Sequence, residues 1–231
     1  MNQGNQQQID FSSLLASSVH DIKNTLTSII HHINEITTQL ENTQLHTHTQ
    51  TLNAETKNLS LQLVSLLTLY KIEHKQYFIN IDEVDVRYFL EAAIQPYSET
   101  LHLKNIELTL TCDEDLVGYF DETLMSGVVG NIINNALRYT KDCILIKADE
   151  TDNGMLRIAI SDNGCGYPSS MLNSDNELPE SPMSFSNGNT GLGLYFSKTI
   201  TGLHKNKGRH GDIIIDNQGI SNGGRCQIRL P

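Results

Sequence analysis

Four short segments of the chain carry polar side chains whose types and spacing could do chemistry on a phosphorylated ligand. The first, SSVHDIKN, places His20 beside Asp21, and Asn24 lies one helical turn further along. A neutral imidazole nitrogen is a nucleophile near neutral pH, and a neighbouring carboxylate can orient or accept the proton of the other nitrogen. Taken alone, this segment fits an ordinary surface histidine better, because the chain has nine histidines.

The second segment, GNIINNALRYT, is typical of an amphipathic helix with an amide-bearing polar face. Asn131 and Asn135 are one turn apart, so both amides face the same side of the helix. Amide oxygens suit Mg²⁺, which keeps several waters and phosphate oxygens among its ligands. Arg138 adds a cation one turn beyond Asn135. The alternative for this segment is a surface helix rich in asparagine.

The third and fourth segments combine glycines with groups that can bind a nucleotide. Asp162, Gly164 and Gly166 follow the β-rich run MLRIAIS, and a carboxylate there can accept a hydrogen bond from an exocyclic amine such as that of adenine. Residues 188–194, GNTGLGL, open a helix whose first amides favour phosphate oxygens. Each segment by itself is a weak signal, since such motifs are most often plain turns.

The N-terminal part is predicted to be a helical hairpin that positions the first segment. Apolar residues at 15–40 recur at alternating intervals of four and three, which is a heptad seam, and a weaker register covers 52–70. A polar connector, ENTQLHTHTQT, separates the two. An antiparallel hairpin over residues 11–75, preceded by a polar tail at 1–10, cannot bury its apolar stripe alone. It is therefore expected to dimerise into a four-helix bundle.

After about residue 75 the pattern predicts an α/β sandwich with helices on one face of a sheet. Helices are expected at 86–103, 122–139 and 191–203, with Asp85 and Asp121 as N-caps of the first two. A polar stretch at about 167–190 is expected to be a long mobile loop. The predicted strands are the runs YFINI, IELTLTC, CILIKA, MLRIAI, DIIID and CQIRL.

Composition narrows the class of protein. With 16 Lys plus Arg against 27 Asp plus Glu, nucleic acid is not the expected partner. No window approaches about 18 consecutive apolar residues, and the polar N-terminus has no cationic flank, so no membrane span or signal peptide is expected. The four cysteines are scattered without a CxxC pair, which disfavours a zinc site or a disulfide framework. The expectation is a soluble cytoplasmic protein.

In their order and spacing, the four segments resemble the H, N, G1 and G2 boxes of bacterial two-component sensor histidine kinases, whose ATP-binding domain has the Bergerat fold. The resemblance implies a dimerisation and phosphoacceptor hairpin at 11–75 and a catalytic ATP-binding domain at 76–231, with its lid at about 167–190. It implies that His20 is phosphorylated from ATP, that Asp21 is its acid/base neighbour, and that Asn24 positions water for dephosphorylation of the partner.

The resemblance also implies the cofactor-binding set, ATP with Mg²⁺. Asn135 would be the metal ligand, and Asp162 would bind the adenine amino group. The remaining residues implied near the nucleotide are Asn131, Arg138, Tyr139, Gly164, Gly166, Gly188, Thr190, Gly191, Leu192, Gly193 and Leu194. Thr25 departs from the pattern, because family members commonly have proline there. Asn131 in place of a glutamate base disfavours the ATP hydrolysis of gyrase, Hsp90 and MutL relatives, since an amide cannot accept a proton.

The expected partners follow from this assignment. The kinase would be a stand-alone cytosolic homodimer that passes the phosphoryl group to the receiver domain of a separate response regulator. Only about ten residues precede the hairpin, so a separate soluble sensor protein is expected to supply the signal. The alternative function is a degenerate nucleotide-binding interaction module, which would control a protein partner without phosphorylating itself.

Overall fold

The computed structural model describes residues 26–27, 29–33, 36, 44–172 and 192–231. The chain divides into two compact units, Met1–His74 and Lys75–Pro231, and each is described by itself. In the first unit the described residues up to 36 are helical, and helix α1 covers Gln44–Glu73.

Helix α1 begins inside the segment that the sequence predicted to be a connector. The prediction of a connector was wrong from Gln44 onwards. The helix extends through these residues because they include no glycine or proline that would interrupt it. Several apolar side chains of α1 are exposed in the single chain, among them Leu52, Leu59 and Leu66. The antiparallel hairpin and its dimerisation remain predictions. Across the described ranges, no helix is both long and apolar enough to cross a membrane.

The second unit is built from nine strands and five α-helices within its described residues. The strands are β1 Asp82–Asp85, β2 Glu107–Cys112, β3 Val117–Phe120, β4 Cys143–Glu150, β5 Leu156–Asp162, β6 Lys205–Asn206, β7 Arg209–His210, β8 Asp212–Asp216 and β9 Arg225–Leu230. The helices are α2 Val86–Ile94, α3 Ser98–Leu103, α4 Glu122–Tyr139, α5 Ser169–Leu172 and α6 Leu192–Leu203. Two 3-10 turns lie at Gln95–Tyr97 and Ile220–Asn222.

Five of these strands form the main sheet, in the order β2-β4-β5-β9-β8. β2 is parallel to β4, and the other neighbours are antiparallel. Alternate residues of the central strands β4, β5 and β9 are buried on one face, where Ile146 lies opposite Ile160 and Ile160 opposite Cys226. Helices α4 and α6 contact the sheet and each other. The mixed α/β fold expected from the sequence is therefore confirmed for this unit.

Two local predictions in this unit were wrong. Residues 77–81, YFINI, do not form a strand; the backbone N–H of Asn80 donates to Asp121 Oδ2 (3.0 Å) instead of to a neighbouring strand. The helix expected at 86–103 breaks around Pro96, whose ring lacks an N–H and clashes with the preceding turn. The loop expected at 167–190 includes the short helix α5 near its start and otherwise stays a prediction, because residues 173–190 lie outside the described part.

The N-terminus of α4 is held by a buried hydrogen-bond cluster. Asp121 Oδ1 accepts from the N–H of Leu124 (2.9 Å), which confirms Asp121 as the N-cap. The backbone N–H of Asp121 donates to His204 Nε2 (3.1 Å), and His204 Nδ1 donates to the carbonyl oxygen of Ile200 (2.9 Å). The imidazole is therefore neutral, and burial lowers the pKa of His204. This cluster joins the start of α4 to the end of α6.

Candidate functional site

Helix α4 carries three asparagines that the structure uses differently. Asn134 Nδ2 donates to the hydroxyl of Tyr97 and to the carbonyl oxygen of Gly130, both at 3.0 Å, so Asn134 is committed to packing. Asn135 makes no side-chain hydrogen bond within the described part of the chain. Asn131 Nδ2 is buried and likewise has no hydrogen-bond partner among the described residues. The two asparagines singled out from the sequence are thus the two whose amides remain available.

The start of α6 lies beside Asn131. A Cβ atom added to Gly193 would be 3.6 Å from Asn131 Cγ, which is ordinary van der Waals contact. Leu192 is the first residue of α6, and Leu194 is buried. The structure therefore brings together the second segment and the described end of the fourth segment.

Asp162 closes strand β5 with an almost buried carboxylate, 8% exposed. Its Oδ1 accepts from the N–H groups of Gly164 (2.7 Å) and Gly224 (3.2 Å). Its Oδ2 makes no hydrogen bond to the described residues. A Cβ atom at position 224 would lie 2.8 Å from Oδ2, so only glycine leaves this oxygen uncrowded. Oδ2 is therefore an oriented acceptor that can take a donor from a ligand.

The turn after Asp162 is tied to the chain segment that follows α4. Asn163 Oδ1 accepts from the N–H groups of Lys141 (3.1 Å), Asp142 (3.2 Å) and Cys143 (3.2 Å). The hydroxyl of Thr140 lies 2.9 Å both from this oxygen and from the carbonyl oxygen of Cys143. Asn163 Nδ2 donates to Asp142 Oδ1 (2.6 Å). Sequence reasoning missed Asn163, because its place between Asp162 and a glycine says nothing about distant donors.

Both glycines of this turn are required by close packing. A Cβ atom at Gly164 would overlap the carbonyl oxygen of Tyr139, at the end of α4. Gly166 has φ +74°, and a Cβ atom there would lie 2.6 Å from Asn217 Oδ1. Asn217 in turn holds Tyr167, since Oδ1 accepts from its N–H (2.6 Å) and Nδ2 donates to its carbonyl oxygen (3.0 Å). The third segment therefore packs directly against the end of the second.

The end of α4 also presents an exposed cation beside an aromatic ring. Arg138 Cζ lies 5.7 Å from the centre of the Tyr139 ring, and the Tyr139 side chain is partly exposed. On the other side of the turn, burial raises the pKa of the Tyr167 phenol, and it raises the pKa of the Cys226 thiol to about 12. Both groups are therefore neutral near neutral pH.

Comparison with known proteins matches this part of the chain to one family of ATPases. The model of the histidine kinase-, DNA gyrase B- and HSP90-like ATPases matches residues 120–231. Histidine kinase P4 of Formosa agariphila is 30% identical over 158 residues, which are 64% of this chain and 12% of that protein. Residues 120–231 belong to the ATP-binding domains of the two-component sensor histidine kinases. The chain spans a small part of that relative's length.

Solved structures show the same fold. The catalytic domain of the histidine kinase ThkA has a TM-score of 0.56 and 21% identity, over 66% of this chain and 97% of that one. Full-length ShkA in complex with AMPPNP has a TM-score of 0.63 and 16% identity, over 95% of this chain and 45% of that one. The match of residues 120–231 to the ATPase family model supports ATP binding by this domain.

The side chains present in the ATP-binding domain fit a nucleotide with a metal ion. Asp162 Oδ2 offers an acceptor to an exocyclic amine, Asn135 offers an amide oxygen, and the buried amide of Asn131 offers an unclaimed donor. Glycines at 164, 166, 193 and 224 keep side chains away from this surface. The other predicted site residues lie outside the described part of the chain: His20, Asp21, Asn24, Gly188, Thr190 and Gly191.

Proposed function

We propose that this chain is an ATP-dependent protein-histidine kinase that phosphorylates its own His20 and passes the phosphoryl group to the receiver domain of a response regulator. The observation that carries the proposal is one arrangement in the ATP-binding domain. Oδ2 of Asp162 and the side-chain amides of Asn131 and Asn135 are available to a ligand. The two asparagines lie on α4, and Asp162 precedes the turn that packs against the end of that helix. A purine amine and a metal-bound polyphosphate need these two kinds of group.

Each described residue has a stated task in this proposal. Asp162 accepts a hydrogen bond from the adenine amine, while Gly164 and Gly166 let the ring approach the backbone. Asn135 holds Mg²⁺, which when bound neutralises phosphate charge. Asn131, Arg138 and Tyr139 lie near the phosphates. The turn at 188–194, with Gly188, Thr190, Gly191, Leu192, Gly193 and Leu194, offers backbone amides to them.

In the transfer step, His20 is the one residue of the protein that forms a covalent bond. The unprotonated nitrogen of His20 attacks the γ-phosphorus, so that an N–P bond forms while the bond to the β–γ bridging oxygen breaks and ADP leaves. Asp21 accepts the proton carried by the other ring nitrogen. In a second transfer the N–P bond breaks as a receiver aspartate takes the phosphoryl group, and Asn24 positions water for later dephosphorylation of that aspartate.

The assembly proposed is a homodimer joined through the helices of residues 11–75, with the polar tail at 1–10 and the ATP-binding domain at 76–231. The exposed leucines of α1 support it, because an apolar stripe on a long helix is stable in water when a partner helix covers it. The proposal places the kinase in the cytoplasm, where ATP is available, with input from a separate soluble sensor protein.

The test is phosphorylation of the purified 231-residue chain by γ-labelled ATP with Mg²⁺. We expect label that is lost in acid and stable in alkali, absent from His20→Ala and retained in the matched control His32→Ala. Label of this kind that survives in His20→Ala would move the phosphoacceptor elsewhere. Nucleotide binding without any label would contradict the kinase and favour the nucleotide-binding interaction module.

A further inference from the structure

One amide oxygen in the ATP-binding domain collects an unusual number of donors. Asn163 Oδ1 accepts from three consecutive backbone N–H groups of residues 141–143, and it lies 2.9 Å from the hydroxyl of Thr140, whose one hydrogen it shares with the carbonyl oxygen of Cys143 (2.9 Å). These residues directly follow α4, the helix that carries Asn131 and Asn135. Asn163 itself directly follows Asp162. The Asn163 side chain therefore adds side-chain hydrogen bonds between the two halves of the nucleotide site to the main-chain contact from the N–H of Asn163 to the carbonyl oxygen of Cys143 (3.3 Å).

Asp162 does not need Asn163 to be held in place. Its backbone pairs with Ile144 in the sheet, and its N–H donates to the carbonyl oxygen of Gly224 (2.9 Å). Its Oδ1 accepts two further backbone hydrogen bonds, from Gly164 and Gly224. Loss of the Asn163 side chain would therefore leave the adenine-binding carboxylate where it is. It would remove the side-chain hydrogen bonds to the segment that follows α4, and main-chain hydrogen bonds such as that from Glu107 to Asp142 (2.8 Å) would then hold that segment alone.

We propose that Asn163 is a positioning residue that sets the spacing between the adenine-binding carboxylate of Asp162 and the metal-binding end of α4. This inference rests on the nucleotide site proposed above. ATP with Mg²⁺ spans both halves of the site, so its affinity depends on their spacing, whereas adenosine engages the Asp162 half. Binding energy from a ligand that spans two subsites is lost when one subsite is displaced.

The chemistry of the contact explains why an amide is needed. Oδ1 must accept from three backbone N–H groups, while Nδ2 must donate to the carboxylate of Asp142 (2.6 Å). Asn163→Asp keeps the acceptor but sets a second carboxylate against Asp142, and like charges at that distance repel. Exchanging the two groups, in Asn163→Asp with Asp142→Asn, restores one donor and one acceptor at the same place.

The first experiment compares two ligands on the whole chain by calorimetry or by nuclear magnetic resonance titration. For Asn163→Ala we expect ATP with Mg²⁺ to bind about tenfold more weakly, the effect of about one strong net hydrogen bond. Adenosine affinity should stay within about twofold of the wild type, since its contacts are held independently. The control Asp85→Ala removes the N-cap of α2 and should leave both affinities unchanged.

The second experiment uses the charge exchange as a rescue. Asn163→Asp should bind ATP with Mg²⁺ at least as weakly as Asn163→Ala, and adding Asp142→Asn should recover most of the loss. A rescue of this kind tests the pair itself, because general damage to the turn would not be repaired by a second substitution. The comparison of Asn163→Asp with the double variant also tests the positioning role if Asn163→Ala fails to fold.

The outcomes separate this inference from the proposed function. Wild-type protein that binds neither ligand would overturn the nucleotide site itself. Wild-type binding with Asn163→Ala unchanged, or with ATP and adenosine weakened equally, would overturn the positioning role while leaving the nucleotide site standing. Failure of Asp142→Asn to improve Asn163→Asp would also overturn it.

Discussion

Asp162→Asn is the substitution that most directly tests how the ATP-binding domain recognises the amino group of adenine. It removes one charge and exchanges one carboxylate oxygen for an NH₂ group of nearly the same size. The N–H groups of Gly164 and Gly224 both point at Oδ1, so the amide oxygen of the new side chain occupies that place. The NH₂ group then replaces Oδ2. It faces the adenine amine, and because both groups are hydrogen-bond donors, no hydrogen bond forms between them.

The expected loss follows from that exchange. A hydrogen bond to a charged group contributes about 1.5–3 kcal/mol, so ATP should bind about 10- to 150-fold more weakly to Asp162→Asn. The same variant should improve binding of inosine triphosphate relative to ATP, because hypoxanthine presents an acceptor where adenine presents a donor. The packing of the turn should be retained, since Oδ1 still has two donors.

The assay is the dissociation constant of each nucleotide for wild type and variant, with thermal unfolding as a check on the fold. Asp149→Asn is a matched control: it removes one charge from an ion pair with Arg157, away from the nucleotide site, and should leave the ratio of the two affinities unchanged. An unchanged preference for ATP over inosine triphosphate in Asp162→Asn would refute the donor–acceptor reasoning.

Two further predictions concern stability. Gly164→Ala should lower the free energy of unfolding by about 1–3 kcal/mol, because the new methyl group overlaps a backbone carbonyl; Gly202→Ala, with nothing within 4 Å, should be neutral or raise it by up to about 1 kcal/mol in urea unfolding. Equal effects of the two substitutions would contradict this assignment. Burial lowers the pKa of His204, so the unfolded chain takes up a proton first as the pH falls below about 6.5. Stability from this site is complete above that pH and decreases below it, and His204→Gln should flatten the change between about pH 7 and 5; identical slopes would contradict the buried neutral ring.

Helix α4 shows how far local pattern alone can go. Its bounds, 122–139, were predicted from the sequence because the N-cap Asp121, the apolar period and the amide-bearing face all lie within the helix or next to it. The five strands of the main sheet were predicted for the same reason, since each is a short β-rich run of neighbouring residues. The break at Pro96 was also readable in the sequence but was missed.

The sequence by itself determined which residues could serve a nucleotide, namely the carboxylate, the amides and the glycines in their order. Only the tertiary structure decided what each does. Asn131, Asn134 and Asn135 look alike in the sequence, but Asn134 is claimed by the hydroxyl of Tyr97, 37 residues earlier. Asn163 and His204 gained their tasks in the same way, from donors and acceptors far away in the chain. A hydrogen bond depends on distances that folding sets, and local sequence carries no information about them.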